Sequence, residues 1–405
     1  MEEFDVCIVG AGTWGSAAAY HLTSGSHNLS VCLIGPEEPE DRSKATIFGS
    51  YYDEGRITKC AEKDTIWGEL AKRSIEKYRD IERKSGISFF HDVGLLFIGS
   101  QNATQQIKSV YSTLRIQSTE LSSQDINKKF PFLAIKEELS GLYSRENDGY
   151  INIRQQRLAH QGLAKCQGCK IISDIVESIQ DTPCGREMHL LLTTKTSIKI
   201  HSKRVLLTTG CFTGFNNLLP TKLVPDMLAT TDRVLLLEMS SNDVERLKSM
   251  PSLIYRPNDP SNACYILPPI RYPDGKYYLK IGHSGWGNKA LSTNDAIVNH
   301  FRTRGPSSVG LQLYKILKKI MADFNVLSIK YDSCVSGKTA TGYLYCDMVT
   351  KKLGILVGGN GYGAKSAYEI GRMGANMIRK GAWDHDLPQS KFKVRFKPSP
   401  VDSHL

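Results

Sequence analysis

Gly10, Gly12 and Gly15, in the segment FDVCIVGAGTWGSAAAYHL, are the residues whose spacing says most about chemistry. The run from Phe4 to Val9 reads as a buried strand, and Ser16 to Leu22 is small and helix-favouring. The GxGxxG pattern therefore falls at a strand–turn–helix junction. Glycine there permits the tight turn and lets a pyrophosphate approach the amide end of the helix. This predicts dinucleotide binding. The next strand, LSVCLIG, ends at Gly35, where an acid would hold the ribose hydroxyls. That task is left to Glu37, Glu38 or other groups.

Two later segments favour FAD. KRVLLTTGCFTGF, from Lys203 to Phe215, is a strand ending in small residues and Gly210. KLGILVGGNGYGAKSAYEIGRMGANMI, from Lys352 to Ile378, repeats strand, glycine turn and helix, with Gly361 and Gly363 in the turn. A helix N-terminus there would aim its positive end at a flavin carbonyl and favour reduced, anionic flavin. Lys365, placed just inside that helix, is unfavourable for the macrodipole, and an anionic ligand would account for it. Lys280 in YYLKIGHSGWG alternates with Leu279 and Ile281, so it points away from its apolar neighbours, toward a site or toward solvent. Cys334, in DSCVSGKTATGYLYCD, is either a packed thiol or a thiolate nucleophile in polar or cationic surroundings.

A chain of 405 residues exceeds one ordinary core, so two domains or one elaborated domain are expected. With 40% hydrophobic and 23% charged residues the composition is globular. No apolar run reaches the roughly 18 residues a membrane span needs, and the start Met-Glu-Glu-Phe-Asp lacks a basic region, so no secretory signal is expected. The ten cysteines are then reduced thiols, and the Cys166/Cys169 CxxC lacks a second pair or nearby His, so no metal is expected. The net charge of +11 is spread along the chain without a basic arm, which argues against nucleic acid and suits anionic substrates. Ser403-His404-Leu405 resembles the peroxisomal Ser-Lys-Leu address, at the end of the exposed-looking tail KFKVRFKPSPVDSHL. A peroxisomal import receptor is the expected partner, and the cytoplasm the location otherwise. LYKILKKIMADF, Leu313 to Phe324, reads as an amphipathic domain-linking helix.

Taken together, these stretches resemble the monomeric sarcosine oxidase group of the D-amino-acid-oxidase-type flavoproteins, which includes N-methyltryptophan and pipecolate oxidases. The resemblance runs from Asp5 to about Lys380, and GAGTWG adds a weaker likeness to fructosyl amino acid oxidases. GSYYDEGRITKCA, Gly49 to Ala61, is similar to the family's GSxHGxxRIxRxA. That implies Ser50 and Arg56 beside the flavin, and Lys59 in place of an arginine that pairs with the substrate carboxylate. Lysine keeps the charge but loses the bidentate fork. The resemblance further implies Tyr265 (in CYILP) on the substrate side and Lys280 as the dioxygen-activating lysine. Cys334, aligned through Thr339 and Asp347, would be bound through sulfur to the flavin, and Lys365 would be the second carboxylate-binding group. Three departures stand out: Ala340-Thr341-Gly342 in a loop expected to border flavin and substrate, Tyr362 for a common histidine, and Ser284 for another. The adjacent His283 is expected to face the other way.

The fold implied is mixed α/β. A Rossmann-like FAD-binding domain (residues 1–88, 153–222 and 329–390) is interrupted by a substrate domain (89–152 and 223–328) whose antiparallel sheet covers the flavin face, with 391–405 a tail. The activity implied is FAD-dependent oxidation of a carboxylated secondary or N-alkylated amine to an imine. Dioxygen would be reduced to hydrogen peroxide by a monomeric enzyme. One alternative is a flavin oxidase of a specialised substrate: a cyclic imino acid such as pipecolate, an opine-like or fructosyl amino acid, or a biosynthetic intermediate. The other is a flavin-binding protein without turnover.

Overall fold

In the computed structural model, which describes residues 2–398 apart from 26, 27, 63, 221 and 222, the glycine turn joins the strand Glu2–Val9 to the helix Thr13–Thr23. That strand runs parallel to Val31–Ile34 on one side and to Lys199–Leu207 on the other. Lys170–Ile172 extends the sheet beyond Val31–Ile34, and Leu353–Val357 pairs in parallel with the upper half of Lys199–Leu207. Strands buried on both faces read as continuous apolar runs, which is why VCLI and LGILV lack alternation. An antiparallel ribbon, Val176–Cys184 and Glu187–Thr194, leaves from the lower half of Lys199–Leu207, and Tyr345–Met348 pairs outside Leu353–Val357 on that same side, giving eight strands. The helices Thr13–Thr23, Ile153–Cys166 and Ala367–Lys380 pack together. A Cβ at Gly371 would overlap Ala17, so glycine sets how closely the first and last of them approach.

A second, nine-stranded sheet is almost wholly antiparallel. Its longest members, Met227–Met239 and Val326–Thr339, pair along their whole length. Residues 329–339 were expected with the nucleotide domain; their ladder places them in the second sheet, and the chain crosses to the first sheet only after Thr339. The helix Ser308–Ile320 buries Leu313, Ile316, Leu317 and Ile320 against this sheet, as its amphipathic pattern requires, and stops at Ile320 because Met321 is extended. A three-stranded sheet of Arg56–Thr58, Phe90–His91 and Gly149–Ile151 holds the segment that supplies Arg56 and Lys59. Among the described residues no helix is long and apolar enough to cross a membrane. The tripeptide Ser403-His404-Leu405 lies outside the described residues.

Candidate active site

A cavity of about 510 Å³ runs from the first glycine turn to the inner face of the second sheet. Gly10 lines it with φ +115°, and a Cβ there would come within 2.5 Å of the Thr208 carbonyl oxygen. Gly12 also lines it and would meet nothing with a Cβ, so the turn opens onto free space. Gly12 is the helix N-cap and offers no side-chain cap, which leaves the first-turn N–H groups pointing at that space without side-chain partners. These features fit a pyrophosphate. Gly15 lies outside the cavity; a Cβ there would overlap the Gly10 carbonyl, so it serves strand–helix contact. Gly210, at φ +57°, and Gly361, at φ +85°, line the cavity, as does Gly363, which sits against the Trp14 ring. The Trp14 indole N–H donates to the Gly363 carbonyl at 2.9 Å, tying the first glycine turn to the last.

The two acids after Gly35 are engaged elsewhere. Glu37 pairs with Arg157 at 3.2 Å and Glu38 with Arg154 at 2.6 Å, and neither lines the cavity.

Lys59 and Lys365 meet at the cavity wall on one carboxylate. Both ammonium groups contact the same oxygen of Glu62, at 2.7 Å and 2.6 Å, and all three side chains are buried. Burial brings Lys59 down to about 8, with Glu62 opposing and Lys365 adding to the shift. Burial acts to raise Glu62, but the two lysines hold it below the usual carboxylate range. Lys365 precedes the helix Ala367–Lys380, whose N-cap is Ser366, so it lies outside the helix rather than within its first turn. Arg256, at the end of the strand Ser252–Arg256, also lines the cavity and acts electrostatically on Lys59. Its guanidinium makes no hydrogen bond or ion pair among the described residues.

On the other wall Arg56 stands 3.6 Å from the Cys334 sulfur and donates to the Ser50 carbonyl at 3.1 Å. Ser50 in turn donates to the Val335 carbonyl at 2.9 Å, which joins this loop to the Cys334 strand. Burial raises the Cys334 thiol, and the Arg56 charge opposes it. Tyr265 lines the cavity nearby, its phenol pushed up to about 12 by burial against the pull of Arg56.

Lys280 is placed differently. It faces away from Leu279 and Ile281 as alternation demands, yet it is fully buried and does not line the cavity. Its ammonium pairs with Asp53, donates to the Gly55 carbonyl at 2.8 Å and lies 5.9 Å from the Tyr265 ring centre. Burial and the Arg56 charge push it well below the ordinary lysine value. Asp53 also pairs with Arg56 and accepts from the Tyr272 hydroxyl at 3.0 Å.

Two other expectations fail. None of Ala340, Thr341 and Gly342 lines the cavity; the Gly342 carbonyl accepts instead from the Trp67 indole at 3.1 Å. His283 does line it, because its strand ends there and the chain turns through Gly285 at φ +97°.

Sequence reasoning missed Asp53, Glu62, Arg256 and Asn360. The acids lie three residues from Arg56 and from Lys59, a spacing that could have flagged both pairs. Asn360 fixes the last glycine turn by accepting from the Thr339 N–H and donating to the Gly358 carbonyl, at 2.9 and 2.7 Å.

A chain described as a putative sarcosine oxidase from Caenorhabditis elegans is 24% identical over 410 residues, covering 98% of this chain and 99% of that one. The peroxisomal sarcosine oxidase of Mus musculus is 26% identical over 177 residues, 42% of this chain and 43% of that protein. The solved structure of NikD, an unusual amino acid oxidase essential for nikkomycin biosynthesis, superposes in its open form with a TM-score of 0.77 at 16% identity, covering 98% of this chain and 99% of that one. That likeness shows the mixed α/β fold. Residues 5–377 match the family described as DAO, FAD dependent oxidoreductase, and the chain belongs to that family.

Proposed function

We propose that this enzyme oxidises a carboxylated secondary or N-alkylated amine to its imine, the two electrons and two protons passing to dioxygen as hydrogen peroxide. The observation that carries the reading is the pair of buried lysines on the cavity wall, Lys59 and Lys365, bridged by Glu62. Two ammonium groups against one carboxylate leave a local excess of positive charge, which a substrate carboxylate would complement. FAD, when bound, supplies reversible two-electron chemistry. The turn of Gly10 and Gly12 and the first helix would hold its pyrophosphate, and Cys334 beside Arg56 would attach it covalently. The lysine pair fixes the substrate by one end, which orients its carbon–hydrogen bond in the cavity. Lys280, buried beside Tyr265 in one cluster with Asp53 and Arg56, would add to the positive charge of that cluster, which stabilises the negative charge developing on dioxygen. The worm and mouse relatives, both called sarcosine oxidases, support an N-methyl amino acid substrate.

A panel of N-methyl and cyclic amino acids, each with its decarboxylated analogue, tests this by peroxide release. Carboxylated members should react and their analogues should not; equal rates for the two sets would refute the carboxylate dock. Arg256 favours a second reading, a specialised substrate with a further anionic group, because it lines the same cavity and its guanidinium has no ion pair among the described residues. Peroxisomal delivery through Ser403-His404-Leu405 is part of the proposal and agrees with the mouse relative's name. Deleting the three residues should leave the protein in the cytoplasm.

A further inference from the structure

We propose that Cys184, His189, His201 and Glu3 form a binding site for a borderline-soft divalent cation of the Zn²⁺ type, remote from the cavity. One ligand atom from each of Cys184, His189 and His201 lies within 4.8 Å of the others. They come from three neighbouring strands: Cys184 ends the outer strand of the antiparallel ribbon, His189 lies on its return strand, and His201 lies on Lys199–Leu207. Glu3, opposite His201 on the first strand, completes the group. Its two carboxylate oxygens stand 3.8 Å from the Cys184 sulfur and 3.7 Å from His189 Nδ1.

A second observation points the same way. Nδ1 of His189 and Nδ1 of His201 are both buried and make no hydrogen bond. A buried ring nitrogen without a partner is costly, and such groups call for an explanation. Two of them on histidines clustered with one thiol are explained by an ion that both rings would ligate. Glu187, exposed, stands 3.6 Å from His189 Nε2 and can receive the ring's second N–H once Nδ1 is engaged, the usual orientation of a metal-bound histidine.

The donor set decides the ion. One thiolate, two imidazoles and one carboxylate match Zn²⁺, whereas Ca²⁺ and Mg²⁺ take oxygen ligands. Donors around a tetrahedral Zn²⁺ stand about 3.3–3.8 Å apart, so the present group must contract by ~1 Å. Cys184 and His201 are half-buried, which leaves them room to adjust. Binding exchanges the Cys184 S–H bond for an S–metal bond and releases one proton, so affinity rises with pH. The ion would stitch the ribbon to the first strand. Glu3 and the glycine turn lie at opposite ends of that strand, about 20 Å apart at ~3.3 Å per residue. Metal binding should therefore leave the flavin region unchanged.

The test uses the tag-free, full-length flavin-loaded enzyme, stripped with a chelator, dialysed and titrated with Zn²⁺ against a chromophoric competitor. The expected result is one tightly held equivalent per chain, lost in C184S and in H201N and kept in C166S, with flavin content equal throughout. Co²⁺ in the unmutated enzyme should give a thiolate-to-metal absorption band that C184S abolishes, a readout that holds even if H201N fails to fold. No equivalent retained against the competitor, or one retained undiminished in both variants, would overturn the site.

Discussion

The Cys334 sulfur stands 3.6 Å from the Arg56 guanidinium, although 278 residues separate the two in sequence. The contact depends on the long strand Val326–Thr339, which carries Cys334 to the cavity, and on the Ser50 bond to Val335 that holds the Arg56 loop against it. A thiol that burial makes a weak acid gains thiolate character from an adjacent fixed cation. The yellow colour of the enzyme should therefore stay in the pellet after acid precipitation. In C334S it should move to the supernatant, and colour retained by that variant would place the attachment elsewhere.

Lys280 and Asp53 form a pair that water does not reach, and the two partners should fail differently when changed. K280M leaves Asp53 its contacts with Arg56 and Tyr272, so the fold should survive. Reoxidation by dioxygen should slow roughly 100-fold, by analogy with loss of one preorganised donor, while anaerobic reduction by substrate is spared. D53N instead strands a buried ammonium and should cost about 3–5 kcal/mol of stability. Stopped-flow half-reactions and thermal unfolding separate the two; equal loss of both half-reactions in K280M would remove Lys280 from the oxygen step.

Lys59 sets a pH limit. Its ammonium loses its proton near 8, so the charge available to a substrate carboxylate is present below that pH and fades above it. KM for a carboxylated substrate should therefore climb above about pH 8. Over the same range kcat should rise as the substrate amine becomes neutral. K59R keeps its charge throughout and should flatten the KM profile without shifting the kcat profile. A break unchanged in K59R would assign it to another group.

G15A tests the cradle. The added methyl would overlap the Gly10 carbonyl, forcing the first helix away from its strand. The purified variant should hold little flavin and lose its visible flavin absorbance, whereas G162A, on an open helix face with nothing near its Cβ, should load normally.

The strand–turn–helix at Gly10 to Gly15 is readable because each of its signals is local: an apolar run, glycines at fixed offsets and a small-residue helix. The mixed α/β fold follows from that unit, the strand ending at Gly210 and the second strand–turn–helix from Lys352 to Ile378, taken in order with the family resemblance. Lys280 shows where reading stops. Alternation gives the direction of its side chain, but only packing decides whether that direction meets solvent, a cavity or Asp53. Arg256 escaped for the same reason, since nothing in the order of residues brings it near Lys59, whereas Glu62 stands only three residues from Lys59 and could have been paired with it. The junction after Thr339 was misjudged because a strand's register partner, here Met227–Met239, lies about a hundred residues away in the chain.

The Trp14–Gly363 bond joins residues 349 positions apart, and both belong to turns that wall the same cavity. On a ribosome adding about 5–20 residues per second, Trp14 waits roughly 20–70 s for its partner to be made. The first sheet is likewise incomplete until Leu353–Val357 pairs with Lys199–Leu207. The nascent chain thus carries an open half-cradle through most of its synthesis, and cofactor capture becomes a late event.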